Sequence, residues 1–317
     1  MKILITGAAG FIGFHLSILY LKKGHTVYGV DNLNKYYSPH LKSKRLNELE
    51  LYKKFNFFKL DLSVKSKLKL IPNDFDILIH LAAQPGVGLS FKNQSQYIKD
   101  NILVFSNVLE HLDKFKCKKI FFASSSSVYS QSKKNIFKEN DIIDNFINFY
   151  GLSKYFNELQ AKLFSKYSNI PIIGLRFFTV YGPYGRPDMS YYKFTESIIH
   201  NRKIHLFNNG NNFRDFTYID DITRSIYLLS KTFIKNKYLI LNIGSNKPVS
   251  VLKFLSIIEK IIGKKSTIIS KNKQLGDMKF TNASQIKINS LIDFKASTKL
   301  EHGLKKFIDW YLVYSKN

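Results

Sequence analysis

Cysteine is almost absent from this 317-residue chain. Its single cysteine, Cys117, excludes an internal disulfide and any cysteine-rich metal cluster, so we expect no metal site. No stretch approaches the ~20 consecutive apolar residues of a membrane span. Gly7 also interrupts the first apolar run too early for a signal peptide. We therefore expect a soluble, cytoplasmic protein without a membrane partner.

Acidic residues are scarce as well, because 23 Asp and Glu stand against 49 Lys and Arg and leave a formal net charge of +26. Such an excess raises the question of nucleic-acid binding. The lysines are scattered among Asn, Ile and Phe, however, and short runs such as Lys118-Lys119 do not form a basic arm. We expect a solvated basic surface and no nucleic-acid partner, with attraction of an anionic substrate as the alternative.

Strand and helix patterns alternate along the first part of the chain. This alternation is typical of an α/β fold with a Rossmann-type, doubly wound parallel sheet. The pattern loosens beyond about residue 180, which predicts a smaller mixed α/β C-terminal substrate domain. We assign 1–178, with a returning segment at about 215–245, to the first domain, and 179–214 with 246–317 to the second. Predicted strands cover 2–6, 25–30, 76–81, 119–122 and 172–178, and predicted helices cover 94–112, 150–167 and 300–314.

A glycine-rich loop follows the first predicted strand and opens a helix. Its Gly-x-x-Gly-x-x-Gly spacing gives Gly7 the tight turn, Gly10 the close approach to a pyrophosphate, and Gly13 the packing of helix on sheet. The helix N-terminus then faces the phosphates. Asp31, at the end of the next strand, supplies the carboxylate that this motif requires. A carboxylate there accepts hydrogen bonds from a ribose diol and repels a 2′-phosphate, so the pattern favours NAD over NADP.

Tyr150 and Lys154 are four residues apart in a predicted helix, 25 residues after Ser125. Positions i and i+4 share a helix face, so an ammonium can lie close to the phenol. A free phenol has a pKa near ~10, and a nearby cation favours the phenolate, which brings the base closer to neutral pH. With 19 Tyr and 49 Lys and Arg the spacing also arises by chance. Together with the glycine loop, it predicts hydride-transfer chemistry.

Longer motifs extend over essentially the whole chain. They include GAAGFIGFHL at 7–16, DNLN at 31–34, HLAAQ at 80–84, ASSSSVY at 123–129, RFFTVYGP at 176–183, GRPDM at 185–189, RDFTYIDD at 214–221 and GD at 276–277. With these segments the chain resembles the extended short-chain dehydrogenase/reductase family, specifically its NAD-dependent sugar-nucleotide epimerases. Within that family the resemblance is greatest to the UDP-glucuronate 4-epimerases.

The resemblance implies a catalytic trio of Ser125, Tyr150 and Lys154. Tyr150 would take the proton of the sugar 4-hydroxyl, Ser125 would hold that oxygen, and Lys154 would bind the nicotinamide ribose. A 4-keto sugar would turn over and be reduced on its other face, so NAD would stay bound and be regenerated. The implied cofactor residues are Gly7, Gly10, Phe11, Ile12, Gly13, Asp31, Asn32, Asp61, Leu62, Leu81, Ala82, Ala83, Asn101, Tyr150, Lys154 and Phe177.

The residues beside Ser125 distinguish related chemistries. Related 4,6-dehydratases place Asp-Glu where this chain has Ser126-Ser127, and uronate decarboxylases place Glu at the second position, so this chain lacks their acid/base groups. The hydroxyls of Ser126, Ser127 and Thr179, with Arg186 nearby, suit the carboxylate of a uronate. The resemblance further places Lys193 and Phe194 at the base, Arg214 at the diphosphate and Asp277 at the uridine ribose.

The predicted reaction is therefore inversion of C4 between UDP-glucuronate and UDP-galacturonate. Gly88 stands where the family usually has an arginine, which leaves UDP-N-acetylglucosaminuronate or a neutral UDP-hexose as alternative substrates. A UDP-glucuronate decarboxylase and a non-catalytic NAD-binding protein are further alternatives. The family also implies a homodimer formed through helices 94–112 and 150–167.

Overall fold

The computed structural model describes residues 1–112, 115, 117–129, 134–272 and 275–316. Over these residues, strands and helices alternate from the N-terminus. The strands are β1 Lys2–Thr6, β2 Thr26–Asp31, β3 Phe55–Lys59, β4 Ile77–His80, β5 Lys119–Ser125, β6 Ile172–Phe177, β7 Thr179–Tyr181, β8 Ile204–Phe207, β9 Phe213–Tyr218, β10 Tyr238–Ile243, β11 Pro248–Ser250 and β12 Ile268–Lys271. The α-helices are α1 Phe11–Lys22, α2 Pro39–Glu50, α3 Gln94–Tyr97, α4 Val104–His111, α5 Phe149–Tyr167, α6 Ser190–Ile199, α7 Ile219–Lys231, α8 Val251–Ile262, α9 Ile286–Asn289 and α10 Leu300–Tyr314.

Seven parallel strands form the main sheet, in the order β3-β2-β1-β4-β5-β6-β10. The chain returns to the middle between β3 and β4, so the strand order reverses beside β1, as in doubly wound dinucleotide-binding folds. β4 and β6 are buried along their whole length. This is expected for parallel strands that are covered on both faces, and it explains their largely apolar sequences. The predicted fold class is confirmed.

Side chains of β1 alternate between two cores, one on each face of the sheet. Ile3 and Ile5 pack in the cluster that contains residues of α1 and α7, whereas Leu4 packs with residues of α4 and α5. This period of two is the geometric consequence of a pleated strand. The sheet is therefore held between two helical layers, and its strand ends are free to support a site.

The predicted helix over 94–112 is interrupted in its geometry. α3 passes into a π-helical turn over Ile98–Leu103 before α4 begins. Asn101 lies in this turn and is buried, and π-turns of this kind are frequent at functional sites. Spacing of apolar residues does not reveal such an insertion, because the helix continues in the same direction on both sides.

Two small sheets complete the fold. β7 and β11 flank β9, and β8 pairs with β12. Between β6 and β7 the chain leaves the main sheet for the small one within a single residue, Phe178, whose amide donates to the Ile243 carbonyl. α7 and β10 then return to the main sheet. Among the described residues, no helix is long and apolar enough to cross a bilayer.

Candidate active site

A cavity of about 660 Å³ lies at the carboxyl ends of the parallel strands. Its lining comes from the ends of β1, β2, β4, β5 and β6, from β7 and β9 of the three-stranded small sheet, and from the loop around Gly276. Open parallel sheets bind ligands at this edge, where the strand order reverses. The cavity therefore combines one wall from the main sheet with another from the C-terminal part of the chain.

The glycine loop forms one end of this cavity, and its packing leaves no room for side chains. Gly7 has a φ of 73°, and a Cβ there would lie 2.8 Å from the Ala82 amide nitrogen. A Cβ on Gly13 would lie 2.1 Å from the Gly7 carbonyl oxygen. α1 begins after Gly10 with no side-chain cap and no acidic residue in its first turn. Its free amide groups and the positive end of its dipole are thus available to an anion.

Asp31 lies beside this loop and is oriented by backbone amides. Its carboxylate accepts hydrogen bonds from the amides of Ala9 (3.2 Å) and Leu33 (2.8 Å). The Lys42 ammonium is 3.8 Å from the same carboxylate and donates to the Asn34 side chain at 2.8 Å. A buried carboxylate held in this way has oxygen lone pairs left for hydroxyl donors in the cavity.

Buried Arg45 anchors the same loop, and sequence reasoning missed it. Its guanidinium donates to the carbonyls of Ala9 (2.7 Å) and Tyr184 (2.6 Å) and to the Tyr37 hydroxyl (2.6 Å). It therefore joins the glycine loop, the segment after β2 and the segment before α6. Only its position on the same helix face as Leu41 and Leu49 could have signalled this role.

Tyr150 and Lys154 enter the cavity from the first turns of α5. Asn148 caps this helix by accepting a hydrogen bond from the Gly151 amide at 2.7 Å, which fixes where the helix begins. A Cβ on Gly151 would lie 2.4 Å from the Ser127 carbonyl oxygen. Glycine at this position therefore lets α5 approach the turn after β5 closely, and Tyr150 contacts the Ser125 hydroxyl.

Burial sets the protonation of both groups in the protein alone. It raises the pKa of Tyr150, and the Arg186 guanidinium and the hydrogen bond with Ser125 oppose that effect. Burial lowers the pKa of Lys154 to about 7, with no carboxylate contributing. The sequence assigned the tuning of Tyr150 to Lys154 together with a bound, positively charged nicotinamide. In the protein alone, Arg186 is the cation that lowers the pKa of Tyr150, and burial drives Lys154 itself towards neutrality.

A buried ion pair supports the strand end that carries Ser125. Arg176 on β6 binds Glu158 on α5 through Nε at 2.8 Å and Nη2 at 2.7 Å, and the Ser124 hydroxyl donates to the same carboxylate at 2.5 Å. Two-point pairing of this kind fixes relative orientation as well as distance. β5, β6 and α5 are thereby tied together directly beneath the cavity.

At the sugar end of the cavity, as the sequence interprets it, two further arginines are paired with aspartates. Arg186 binds Asp188 through Nε (3.0 Å) and Nη2 (2.5 Å). Arg214 donates to Asp277 at 2.6 Å and to the Met278 carbonyl. The two residues that the sequence assigned to diphosphate and ribose are therefore each other's partners in this structure.

Most of the predicted site residues line this one cavity, and two do not. Phe194 is buried in the apolar core. Asn101 is buried beneath the wall, where it accepts from the Gln84 amide (2.7 Å) and donates to Ser153 (2.9 Å). The predicted residues on the wall are Gly7, Gly10, Phe11, Ile12, Gly13, Asp31, Asn32, Asp61, Leu62, Leu81, Ala82, Ala83, Ser125, Ser126, Ser127, Tyr150, Lys154, Phe177, Thr179, Arg186, Lys193, Arg214 and Asp277.

Other lining residues were not predicted as site residues. They belong to the segment after β2 and the start of α2, to the loop after β4, to the segment before α6 and to the segment between β12 and α9. Several lie within the motifs that carry the family resemblance, and that was the only signal for them. They include Asn34, Tyr36, Lys42, Pro85, Gly86, Asp188, Met189, Met278 and Thr281.

A doubly wound parallel sheet with a side-chain-free loop at a helix N-terminus, a buried acidic strand end and a nearby serine, tyrosine and lysine defines a Rossmann-type, dinucleotide-dependent enzyme. Comparison with known proteins agrees. The model of the NAD dependent epimerase/dehydratase family matches residues 3–244, and the chain belongs to this family.

Relatives in this family match the chain over nearly its whole length. The chain is 41% identical to the protein CapI of Staphylococcus aureus, with 100% of each covered. It is 38% identical to the UDP-glucuronate 4-epimerase of Thermodesulfobacterium geofontis, covering 97% of this chain and 95% of that protein. The crystal structure of UDP-glucuronic acid 4-epimerase from Bacillus cereus with UDP-glucuronic acid and NAD superposes with a TM-score of 0.92. That match has 34% identity and covers 99% of this chain and 100% of the other.

Proposed function

We propose that this protein is an NAD-dependent epimerase that inverts C4 of a UDP-uronic acid, converting UDP-glucuronate to UDP-galacturonate through a transient 4-keto sugar. One observation carries the proposal. Ser125, Tyr150 and Lys154 line the same cavity as the glycine loop at one end and Arg214 with Asp277 at the other. The similar proteins from Thermodesulfobacterium geofontis and Bacillus cereus support the choice of substrate.

The residues at the glycine loop fit NAD. Gly7 and Gly13 leave a cradle that any side chain would fill, and the uncapped start of α1 suits a pyrophosphate. Asp31 keeps acceptor capacity for the adenosine ribose, and Asp61, Leu62 and Leu81 to Ala83 border the same end. Bound NAD supplies a hydride acceptor and then a hydride donor, without net redox change.

The chain's own contribution to the chemistry is proton transfer and orientation. Tyr150 takes the proton of the 4-hydroxyl as the C4–H bond breaks, and returns it when C4 is reduced on the other face. Ser125, in contact with Tyr150, holds the same oxygen. Lys154 would bind ribose hydroxyls of the cofactor, which would supply hydrogen-bond acceptors to its buried ammonium.

A uronate needs its carboxylate held, because oxidation of C4 creates a β-keto acid that readily loses CO₂. Ser126 and Ser127 follow β5, and Thr179 opens β7, and all three face the cavity. These hydroxyls fix the carboxylate by neutral hydrogen bonds, with Arg186 beside them. At positions 126 and 127 the chain has no carboxylic acid that could serve a dehydratase or a decarboxylase.

The nucleotide half of the substrate occupies the opposite wall. We propose that Arg214 meets the diphosphate, Asp277 the uridine ribose, and the exposed side chain of Lys193 the region of the base. Phe194 supports this wall from within the core and does not reach the base directly. The main sheet with the segment 215–245 would then carry NAD, and 179–214 with 246–317 the UDP-sugar.

A second candidate is C4 epimerisation of UDP-N-acetylglucosaminuronate or of a neutral UDP-hexose. Two observations favour it: Gly88 gives the cavity no side chain at the family's arginine position, and Arg186 already has an anionic partner in Asp188. A neutral C6 group would then meet only hydroxyls and a compensated ion pair.

NMR of the purified protein with UDP-glucuronate, without added nicotinamide, tests these alternatives. Formation of UDP-galacturonate without pentose or CO₂ is the expected result. A UDP-pentose would mean that the hydroxyl pocket does not protect the keto acid. No change with UDP-glucuronate, but turnover of UDP-N-acetylglucosaminuronate or UDP-glucose, would transfer the proposal to the second candidate. No turnover of any of them by NAD-loaded protein would leave only a non-catalytic role.

We also propose a cytoplasmic homodimer, since NAD and UDP-sugars are cytoplasmic metabolites. α5 carries Leu152, Phe156, Leu159 and Leu163 on one face, each 39–61% exposed, at the i, i+4, i+7 and i+11 spacing of an apolar stripe. Such a stripe suits a second copy, with the exposed Ile98 and Leu103 of the adjoining π-turn continuing it.

Sedimentation velocity tests this interface. Leu159→Glu should produce a monomer, because a carboxylate cannot be buried unpaired against the partner's apolar face. Leu70→Glu, at a leucine in another part of the chain that is 62% exposed against 46% for Leu159, should leave the dimer intact. A monomeric wild-type protein, or a dimer that tolerates Leu159→Glu, would contradict the assignment.

A further inference from the structure

Three side chains from two distant parts of the chain meet beside Tyr150. Arg186 binds Asp188 through Nε (3.0 Å) and Nη2 (2.5 Å), and the Tyr36 hydroxyl donates to the same carboxylate at 3.1 Å. The arginine and aspartate side chains are 21% and 28% exposed. We call these three residues, Tyr36, Asp188 and Arg186, the arginine brace.

Two segments that line the cavity, one after β2 and one after β4, pack together at the arginine brace. Tyr36 belongs to the segment that follows Asp31, and the loop after β4 closes on it. Gly86 in that loop has a φ of 100°, and a Cβ there would lie 2.4 Å from the Tyr36 hydroxyl. Burial raises the pKa of Tyr36 to about 12, so its hydroxyl is a neutral donor to Asp188 throughout the working pH range. The contact therefore connects the cofactor end of the cavity to the sugar end.

The two charged members act on Tyr150 in opposite directions. Arg186 lowers the pKa of Tyr150, and Asp188 raises it. Among the described residues, Tyr97 on α3 also faces this phenol, with 6.2 Å between the ring centroids, and Lys154 lies one turn further along α5. Neither is an anion at neutral pH, because burial raises the pKa of Tyr97. Asp188 is thus the carboxylate that opposes the cation at the base.

We propose that Asp188, held by Tyr36, is a positioning residue: it fixes the Arg186 guanidinium at the sugar end of the cavity and offsets its charge at Tyr150. A two-point pair leaves the arginine one orientation, so the remaining Nη1 edge keeps a constant direction. The proposal rests on the proposed function for the role of Tyr150 as the base.

The pH dependence of kcat/KM tests it, since this ratio rises with pH as the free enzyme's base loses its proton. Asp188→Asn keeps the shape of the side chain and removes the charge that favours the protonated phenol of Tyr150. The rising limb of the kcat/KM profile, where the ratio increases with pH, should therefore move to lower pH. Asp188→Glu should restore the wild-type limb. Asp293→Asn is the matched control, because Asp293 is 86% exposed and pairs with Lys295 at the surface; its limb should not move.

Tyr36→Phe separates the positioning of Asp188 by its hydrogen bond from the effect of the Asp188 charge. It removes one hydrogen bond and no charge, so kcat/KM should fall about fivefold, corresponding to about 1 kcal/mol, with the limb unmoved. A folded Tyr36→Phe protein with the wild-type kcat/KM would refute the holding role. A merely structural role for Asp188 would lower the melting temperature of Asp188→Asn and leave the limb in place, and that result would overturn the proposal.

A second readout does not depend on turnover. In protein labelled with 3-fluorotyrosine, the ¹⁹F resonance of Tyr150 is identified by its loss in Tyr150→Phe, and its titration is followed directly. It should move to lower pH in Asp188→Asn. That result with no turnover of any UDP-sugar would reject the proposed function and retain the brace. Turnover with neither the limb nor the resonance moved would reject the brace alone.

Discussion

Gly151 tests how the site is assembled. It follows Tyr150 in α5 and packs closely against the turn after β5, which carries Ser127. A Cβ at this position would lie 2.4 Å from the Ser127 carbonyl oxygen. Contacts of that kind are comfortable at about 3.4 Å and tight at 3.0 Å, so Gly151→Ala requires the first turn of α5 to retreat by roughly 0.6 to 1.0 Å.

Two effects on stability oppose each other in this variant. Alanine favours the helix over glycine by about 1 kcal/mol, whereas relief of the clash strains the Asn148 cap, worth about the same amount. The free energy of unfolding should therefore change little. Turnover is far more sensitive, since a misplacement of about 1 Å at a catalytic group costs about 100-fold.

We expect Gly151→Ala to lower kcat about 100-fold while NAD and UDP remain bound with nearly unchanged affinity. Steady-state kinetics and calorimetric titration of both ligands measure this. Ser165→Ala, in the exposed part of the same helix, is the control for added helix propensity and should keep the wild-type kcat. An unchanged kcat in Gly151→Ala would refute the reasoning that close approach of α5 positions Tyr150.

Three other variants test the assigned roles. Tyr150→Phe should abolish turnover and retain NAD, because only the proton acceptor is lost. Asp31→Ala should weaken NAD binding roughly ten- to hundredfold, the range for hydrogen bonds to a charged group, with little effect on UDP binding. Lys154→Met should abolish turnover yet raise the melting temperature of the NAD-free protein at pH 7. A displacement of the lysine pKa from 10.5 to about 7 corresponds to at most about 5 kcal/mol.

The pH dependence of the Lys154→Met effect follows from the lowered pKa of Lys154. Because the native state binds the Lys154 proton less readily than the unfolded chain does, native stability is lost as the pH falls from 10.5 to about 7. The advantage of Lys154→Met should therefore disappear above about pH 10.5. Retained turnover in Tyr150→Phe would remove the assigned base. Equal losses of NAD and UDP affinity in Asp31→Ala would count against its ribose role.

Local chemistry made the cofactor end predictable. The three glycines between a strand and a helix, with the aspartate at the end of the next strand, form a motif that is complete within about 30 residues. The fold class followed from the alternation of strands and helices, whereas the grouping of Ser125, Tyr150 and Lys154 was implied by the family resemblance. Phe194 and Asn101 show the limit, because a residue next to a lining position can point into the core or brace the wall, and the sequence does not distinguish these cases.

Long-range contacts could not be predicted. The pairing of Tyr36 with Asp188 joins residues 152 positions apart, and no local periodicity indicates it. The π-turn at Ile98–Leu103 and the burial of Arg45 also depend on tertiary packing. The tuning of Tyr150 by Arg186 needs coordinates as well, because the sequence offers only the nearest cation along the chain, Lys154.

The passage of the chain from β6 to β7 has a further consequence. Phe177, which we propose lies beside the cofactor, and Thr179, which we propose lies beside the sugar, are separated by Phe178 alone, so about 7 Å of extended backbone joins the two proposed ligand regions. The direct connection between β6 and β7 would therefore limit how far apart the two proposed ligand regions can move. On the proposed function, this short link would keep the sugar ring near the cofactor while the ring turns over, as inversion at a single carbon requires.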